Sequence, residues 1–354
     1  MENGEKTTTF VIIDSHSLLH RAYHAFPKTL TTRKGELVNA VYGFTRILLS
    51  LIRELRPKYL AAAFDLPGPN FRHREFIGYQ AQRPTMDEEL KGQIDRVRQM
   101  VTALGIPVFA VPGFEADDVI GTLAFQVAGG QKENSDSPRG SNPDLIGDRP
   151  SEKITTIIVT GDKDLMQLAN ERVKIYALGK TMTEGGVFGE KEVEKLLGIP
   201  PAQVVDYKGL VGDSSDNYPG VSGIGPKTAV NLLRQFGSLE KIYEAIEQPA
   251  SSVGGLDNET TSNVADAIGQ WSNGTIEKLL KGKEAAFLSQ KLAKIETDAP
   301  VRCLPKDCEF KVLERPEAIK MWEELGFKSL ISAISKKNDN QRDAKKDNPQ
   351  MALF

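Results

Sequence analysis

Phe10-Val-Ile-Ile runs straight into Asp14, Ala61-Ala-Ala-Phe into Asp65, and Ile157-Ile-Val-Thr-Gly into Asp162. Glu115-Ala-Asp117-Asp118 opens an apolar helical stretch (Val119, Ile120, Leu123), with Glu115 and Asp118 three apart on one helix face. Asp164 follows Asp162 by two, and Asp213-Ser-Ser-Asp216 supplies another pair three apart. Any one pair, taken alone, reads as an N-cap or a solvated helix end. Gathered in one place, nine carboxylates repel one another and are costly to desolvate. Hard divalent cations resolve that cost, because Mg²⁺ and Mn²⁺ take oxygen ligands. The expected ligands are Asp14, Asp65, Glu115, Asp117, Asp118, Asp162, Asp164, Asp213 and Asp216. Two ions about 4 Å apart suit phosphodiester hydrolysis, activating a water and stabilising the leaving oxygen.

A phosphate-binding segment lies next to these acids. Gly220-Val-Ser-Gly223-Ile-Gly225-Pro-Lys227-Thr228-Ala229 opens a helix carrying Leu232 and Leu233. Glycines there let backbone N–H groups approach a phosphate at a positive helix end, and Lys227 adds charge. This is the form of a helix-hairpin-helix, which grips duplex backbone without reading sequence; a plain tight turn is the simpler alternative. Phe71-Arg72-His73-Arg74 and Tyr79-Gln80-Ala-Gln82-Arg83 set arginines beside aromatics, suited to phosphates and stacked bases, although a solvated helix face also accounts for them. His16, His20 and His24 recur every fourth residue, and read as an ordinary helix face near phosphates rather than a zinc site. Cys303 and Cys308 read as reduced and structural; two thiols provide neither a disulfide framework nor a four-ligand zinc site.

The elements that must position these groups follow from the same runs. Phe10–Ile13, Tyr59–Phe64, Val108–Val111 and Thr156–Thr160 read as short buried strands of a parallel α/β sheet, whose ligand sites lie at the strands' carboxyl ends. Glu36 to Leu55 has Leu37, Val41, Phe44, Leu48 and Leu51 at helical spacing. From Pro200 onward the pattern changes to short helices. The expected organisation is an α/β part over residues 1–199, with a mobile loop at 129–152. A helical part over 200–330 would contain the helix-hairpin-helix at 217–236, and 331–354 would be a disordered tail. Of 354 residues, 40% are hydrophobic and 26% charged, enough for a large core in an ordinary soluble composition. No run approaches the roughly 18 apolar residues of a membrane span, and the first nine residues carry no signal or transit pattern. The chain is therefore expected to be intracellular and not membrane-bound. Setting the nine acids aside turns the formal net charge from −3 into +6, a mildly basic body suited to a polyanion around an acidic pocket.

The motifs together resemble the 5′ nuclease domain of bacterial DNA polymerase I, within the flap endonuclease superfamily. The resemblance rests on Val11-Ile-Ile-Asp14, Leu30-Thr-Thr-Arg33-Lys-Gly35, Ala40-Val-Tyr-Gly-Phe44, Phe64-Asp65, Phe71-Arg-His73, Gly113-Phe-Glu-Ala-Asp-Asp118, Thr160-Gly-Asp-Lys-Asp-Leu165 and Gly212-Asp-Ser-Ser-Asp-Asn217 through Ala229. It covers about residues 9–330, and implies a metal-dependent phosphodiesterase acting on 5′ flaps, nicks and RNA–DNA junctions, with the nine acids as metal ligands. It places Arg21, Arg72 and Arg83 at phosphate-binding positions, a potassium ion and duplex DNA at the helix-hairpin-helix, and the single-stranded 5′ end in a helical arch at about 71–100. The chain ends soon after Phe327-Lys-Ser-Leu330, where the polymerase region of such proteins begins, so a free-standing, monomeric nuclease is expected, in a bacterial nucleoid or, with a leader missing, a plant organelle. Gln350-Met-Ala-Leu353-Phe354 looks like a sliding-clamp docking peptide, with chance as the rival explanation of so short a motif.

One departure concerns chemistry. Where the family typically has Tyr-Lys, this chain has Tyr79-Gln80. A lysine that would stabilise transition-state charge is absent, with Arg74 or Arg83 as candidate substitutes. The rival readings are a non-catalytic DNA-junction binder, in which Gln80 marks lost chemistry, and a PIN-type ribonuclease, which the Gly220–Ala229 segment disfavours.

Overall fold

The computed structural model of the chain describes residues 8–129, 154–179, 185–247, 271–311, 313 and 315–334. Its centre is a sheet of β1 (Thr8–Asp14), β2 (Tyr59–Ala63), β3 (Val108–Phe109), β4 (Ile154–Thr160), β5 (Val173–Leu178) and β6 (Gly185–Phe188). The order is β3-β2-β1-β4-β5-β6; β1 to β5 run parallel, and β6 is antiparallel at the edge. The mostly parallel sheet expected from the sequence is thus present, with β3 shorter than expected and two further strands at one edge. From β1 the chain winds outward through β2 and β3, then jumps to β4 on the other side of β1. The crevice of such a sheet opens at that reversal, between the carboxyl ends of β1 and β4.

Alternation along β1 builds a core on each face. Val11 and Ile13 join Leu60, Ala62 and Val159 beneath α1 (Ser15–Ala25), α2 (Asn39–Leu55) and α4 (Glu88–Ala103). Phe10 and Ile12 join Ala61, Ala63 and Ile158 beneath α5 (Ala116–Val127). The helix expected over Glu36–Leu55 begins at Asn39, whose side-chain amide donates to the carbonyls of Tyr23 and Phe26 and so ties α2 to the end of α1.

Beyond α6 (Glu190–Leu197) the chain is helical: α7 (Val204–Val211), α8 (Pro226–Phe236), α9 (Leu239–Glu247), α10 (Asn273–Lys281) and α11 (Lys283–Ala293) surround a separate core of Leu210, Val221, Ile224, Leu232, Leu233 and Tyr243. The helical part expected over 200–330 does not stay together. Ile295 and Cys303 join the α5-side core, Phe310 N–H donates to the Lys58 carbonyl, and α12 (Pro316–Leu325) sets Trp322 against Met100 of α4. The apolar residues of this return segment cover sheet-half surface that would otherwise face water, which explains the placement.

The arch expected at 71–100 also divides. Leu90, Gln93, Val97 and Met100 of α4 are buried against α2, because their spacing gives α4 an apolar stripe. What stands over the strand ends is short: α3 (Phe71–Glu75) and the turns that follow it. Among the described residues no helix is long and apolar enough to cross a membrane. Residues 130–152, most of the loop expected to be mobile, and 335–354, most of the tail, lie outside the described residues, as do Gln350, Leu353 and Phe354.

Candidate active site

Three adjacent parallel strands end at one rim. Asp14 closes β1 and caps α1, accepting from Ser17 N–H at 3.1 Å and from the Thr160 hydroxyl of β4 at 2.7 Å. Asp65, two residues beyond β2, accepts from Ala116 N–H of α5 at 2.7 Å, and its own N–H donates to His16 Nδ1 at 3.2 Å. Asp162 follows β4 and accepts from Asp164 N–H at 2.8 Å. Asp117, in the first turn of α5, is half-buried, and its carboxylate has no hydrogen-bond partner among the described residues. Burial and repulsion from Asp162, Asp14, Glu115 and Asp65 push it well above the usual carboxylate range. Asp14 is pushed up to about 6, by burial first and then by Asp65 and Asp162. These groups therefore share one electrostatic site.

Glu115 caps α5 and is crowded with donors: Asn70 Nδ2 at 2.7 Å, Arg72 Nη1 at 3.0 Å, the Tyr79 hydroxyl at 3.1 Å and Gln80 Nε2 at 3.2 Å. Burial still raises it to about 7, against the pull of Arg72. Behind it the structure corrects two expectations. Arg72 is 2% exposed, and all five of its N–H donors are taken: Nε by the Leu292 carbonyl, Nη1 by Glu115 and Asp118, Nη2 by Asp118 and the Lys294 carbonyl. No donor remains for a phosphate. Asp118 is fully buried in that fork and also accepts from the N–H groups of Glu115 and Glu296, so it does not face the rim. This pair is a strut between α3, α5 and the return segment. Tyr79, expected at a nucleic-acid surface, is likewise buried, with its hydroxyl on Glu115.

A second acidic group joins Asp164, just beyond β4, to two acids of the helical half. Carboxylate oxygens of Asp164, Asp213 and Asp216 lie within 4.8 Å of one another, a spacing that could hold a metal ion. Lys208 of α7 reaches into them, with Nζ 2.6 Å from Asp164 Oδ1 and in contact with Asp213 Oδ2. Burial raises Asp164 to about 6 although Lys208 opposes it. At Asp213 burial also works upward, but Lys208 and Ser215 prevail and hold it below the usual range. Asp216 is raised by burial; Gln80 Nε2 donates to it at 3.1 Å and Arg83 Nη2 lies 3.4 Å away. Gln80 bridges the two acidic groups, since the same amide touches Glu115. Its backbone takes φ 55°, and its N–H donates to the Asp216 carbonyl.

The turn from α7 to α8 has the geometry its glycines require. Gly212 (φ 75°) and Gly220 (φ 59°) cross so closely that a Cβ on Gly220 would sit 2.3 Å from Gly212 N. Gly220 is buried and its N–H is used by Ser289, so, against expectation, it shapes the turn rather than presenting a donor to phosphate. Gly223, Gly225 and Lys227 are exposed and Thr228 half-buried, at the open N-terminus of α8, with Lys278 Nζ 3.5 Å from the Gly223 carbonyl. Arg74 and Arg83 are exposed, and Arg21 Nη1 lies 3.5 Å from the Leu178 carbonyl. His20 and His24 are exposed with rings stacked at 6.5 Å, as an ordinary helix face.

Residues 9–136 match the family model for the 5′-3′ exonuclease N-terminal resolvase-like domain, and residues 199–316 the model for the 5′-3′ exonuclease C-terminal SAM fold. The 5′-3′ exonuclease of Aquifex aeolicus is 34% identical over 93% of this chain and 96% of its own length. The chain belongs to the 5′-3′ exonuclease family. DNA polymerase I of Bacillus subtilis is 33% identical over 92% of this chain, and that of Deinococcus radiodurans 37% over 90%; this chain spans 32% and 28% of their respective lengths. In fold it is similar to the bacteriophage T5 flap endonuclease, solved as a pseudo-enzyme–product complex with DNA and metal ions, at a TM-score of 0.55 and 17% identity over 90% of this chain and 99% of that one.

In this exonuclease-family chain, sequence reading missed the groups that hold the acids in place. Thr160, His16 and Asn70 each bond an acid directly, and Lys208 sits between two of them. Only Lys208 carried a usable signal: a cation one helical turn before Gly212-Asp213, on the same side as the turn.

Proposed function

We propose that this chain is a divalent-metal-dependent, structure-selective 5′-3′ exonuclease and 5′-flap endonuclease, hydrolysing phosphodiesters of DNA and RNA primers in replication and repair. The carrying observation is the convergence of Asp14, Asp65, Glu115, Asp117, Asp162, Asp164, Asp213 and Asp216 on one sheet edge, with Asp117 half-buried and unpartnered there among the described residues. An all-oxygen donor set of this charge fits Mg²⁺ or Mn²⁺. Asp164, Asp213 and Asp216 would hold one ion, and Asp14, Asp65 and Asp162 at the strand ends, with Glu115 and Asp117 at the start of α5, another. When bound, such ions supply a nucleophilic water at neutral pH and neutralise charge on the leaving oxygen. The chain's own groups do the rest: Arg83, 3.4 Å from Asp216, and Arg74, exposed on α3, would hold phosphates flanking the scissile bond. The α8 N-terminus, with Gly223, Gly225, Lys227 and Thr228, would take the duplex backbone, with a potassium ion as part of the same reading. Clamp docking through Gln350, Leu353 and Phe354 is a further part of it, supported by the sequence resemblance.

The test is a labelled 5′ flap, a nicked duplex and an RNA-primed duplex, each incubated with and without Mg²⁺. Cleavage only with the metal is expected; a retarded band that is never cut would establish the non-catalytic binder instead.

Two further outcomes follow. At saturating Mg²⁺, Gln80→Lys is expected to raise single-turnover cleavage by about tenfold, because a cation between Glu115 and Asp216 would stabilise charge developing on a phosphate held at the metals; an unchanged rate refutes a deficit at this position. The second outcome concerns pH. Asp14, Glu115 and Asp164 have ordinary values of 3.8, 4.5 and 3.8, and stand at about 6, 7 and 6 in the fold. Their contribution to stability is present below the ordinary values and is lost as pH rises through 6 to 7. Metal-free protein should therefore melt lower at pH 8 than at pH 5, by on the order of 5 °C. Mg²⁺ should recover most of that at pH 8 and little at pH 5, where protons hold the sites. Melting insensitive to Mg²⁺ at pH 8 counts against metal ligation.

A further inference from the structure

Lys208 lies where its charge competes with any cation bound by the second acidic group. It stands on α7, five residues before Asp213, and its side chain is 17% exposed. Its ammonium contacts two of the three carboxylates whose oxygens lie within 4.8 Å of one another, Asp164 and Asp213. The third, Asp216, is occupied differently, by the neutral amide of Gln80 and more loosely by Arg83. A lysine ammonium has three donors and no acceptor capacity, so it cannot join a coordination shell; it can only share or vacate the oxygens an ion needs. A divalent ion on the same oxygens would face that ammonium at close range in a partly desolvated site, where repulsion is much stronger than in water.

We propose that Lys208 is an internal competitor for the Asp164–Asp213–Asp216 site: it neutralises part of the acidic group when no ion is there, and sets the ion's affinity low. This rests on the reading of those acids as metal ligands. It also gives the lysine a place in turnover, because a displaced ammonium on a flexible four-carbon stem is then free to meet a phosphate arriving at the rim. Substrate and metal would thereby load this site together.

The experiment is a Mn²⁺ titration of the DNA-free full chain at pH 8, followed by electron paramagnetic resonance of the free ion, which gives the number of sites and each dissociation constant without any turnover. Lys208→Met and Lys208→Gln should each tighten the weaker site by at least about tenfold, because either removes one like charge from contact with it. Lys208→Arg, which keeps the charge, should leave it weak. Adding Asp216→Ala to Lys208→Gln should abolish the tightened site, assigning it to this group. The glutamine variant retains a donor for Asp164 and guards against misfolding of the methionine variant, and melting curves of both establish folding. Unchanged or weakened binding in two folded neutral variants would overturn the proposal while leaving the metal-ligand reading intact. Absence of any Mn²⁺ binding by the unmodified protein would overturn both.

Discussion

Replacing Arg72 by alanine is expected to cost the fold about 3–5 kcal/mol, the magnitude of breaking one side of a buried ion pair. The guanidinium is 2% exposed, every N–H is engaged, and Asp118, fully buried, would be left charged with only backbone donors. The change also releases the Leu292 and Lys294 carbonyls, the points where the chain leaves α11 and turns back toward the sheet. Arg72→Lys should recover little, since an ammonium cannot satisfy a planar fork of five acceptor contacts. The double variant Arg72→Met/Asp118→Leu should be markedly more stable than Arg72→Ala, because no charge is then stranded. Urea midpoints of the three variants check this. If Arg72→Ala kept the parent midpoint and only raised KM for DNA, the arginine would be a phosphate ligand after all.

That reassignment shows where sequence reading reached and where it stopped. The strand ends were legible because each short apolar run stops at an acid, and parallel strands must deliver such residues to one edge. The turn at Gly212 and Gly220 was legible as a glycine-dependent element, although which glycine faces solvent was not. Arg72 and Asp118 were unreadable as a pair: 46 residues separate them, and their types alone fit phosphate binding and metal binding equally well. Burial decides their role, and burial is a property of packing. The arch failed for a related reason. The segment 71–100 reads as one unit on resemblance, whereas the apolar stripe of α4 commits its second half to the core. Strand β5 carried a signal in Val173 and Ile175, while β6 had only Val187 and Phe188 to mark it.

Asp117→Asn is expected to leave a better-folded and inactive protein. In the first turn of α5 a negative charge gains from the helix dipole, a contribution of about 0.3–1 kcal/mol. Against it stand burial and four neighbouring acids, with no hydrogen bond among the described residues to offset them. The balance is unfavourable in the metal-free state, so the isosteric amide should raise stability at pH 8 by about 1 kcal/mol. The gain should shrink as pH falls, because the raised carboxyl takes up its proton sooner than a free one and repels its neighbours less. Cleavage should fall by at least about 10³-fold, since an amide brings no charge to a site that depends on metal neutralisation, while flap binding measured by fluorescence anisotropy persists through the α8 N-terminus and the rim arginines. The stabilising increment from saturating Mg²⁺ should fall with it. An Asp117→Asn variant that melts below the parent at pH 8 would mean that this carboxylate is held by the fold for its own sake, whereas one that still cuts would remove it from the set of ligands.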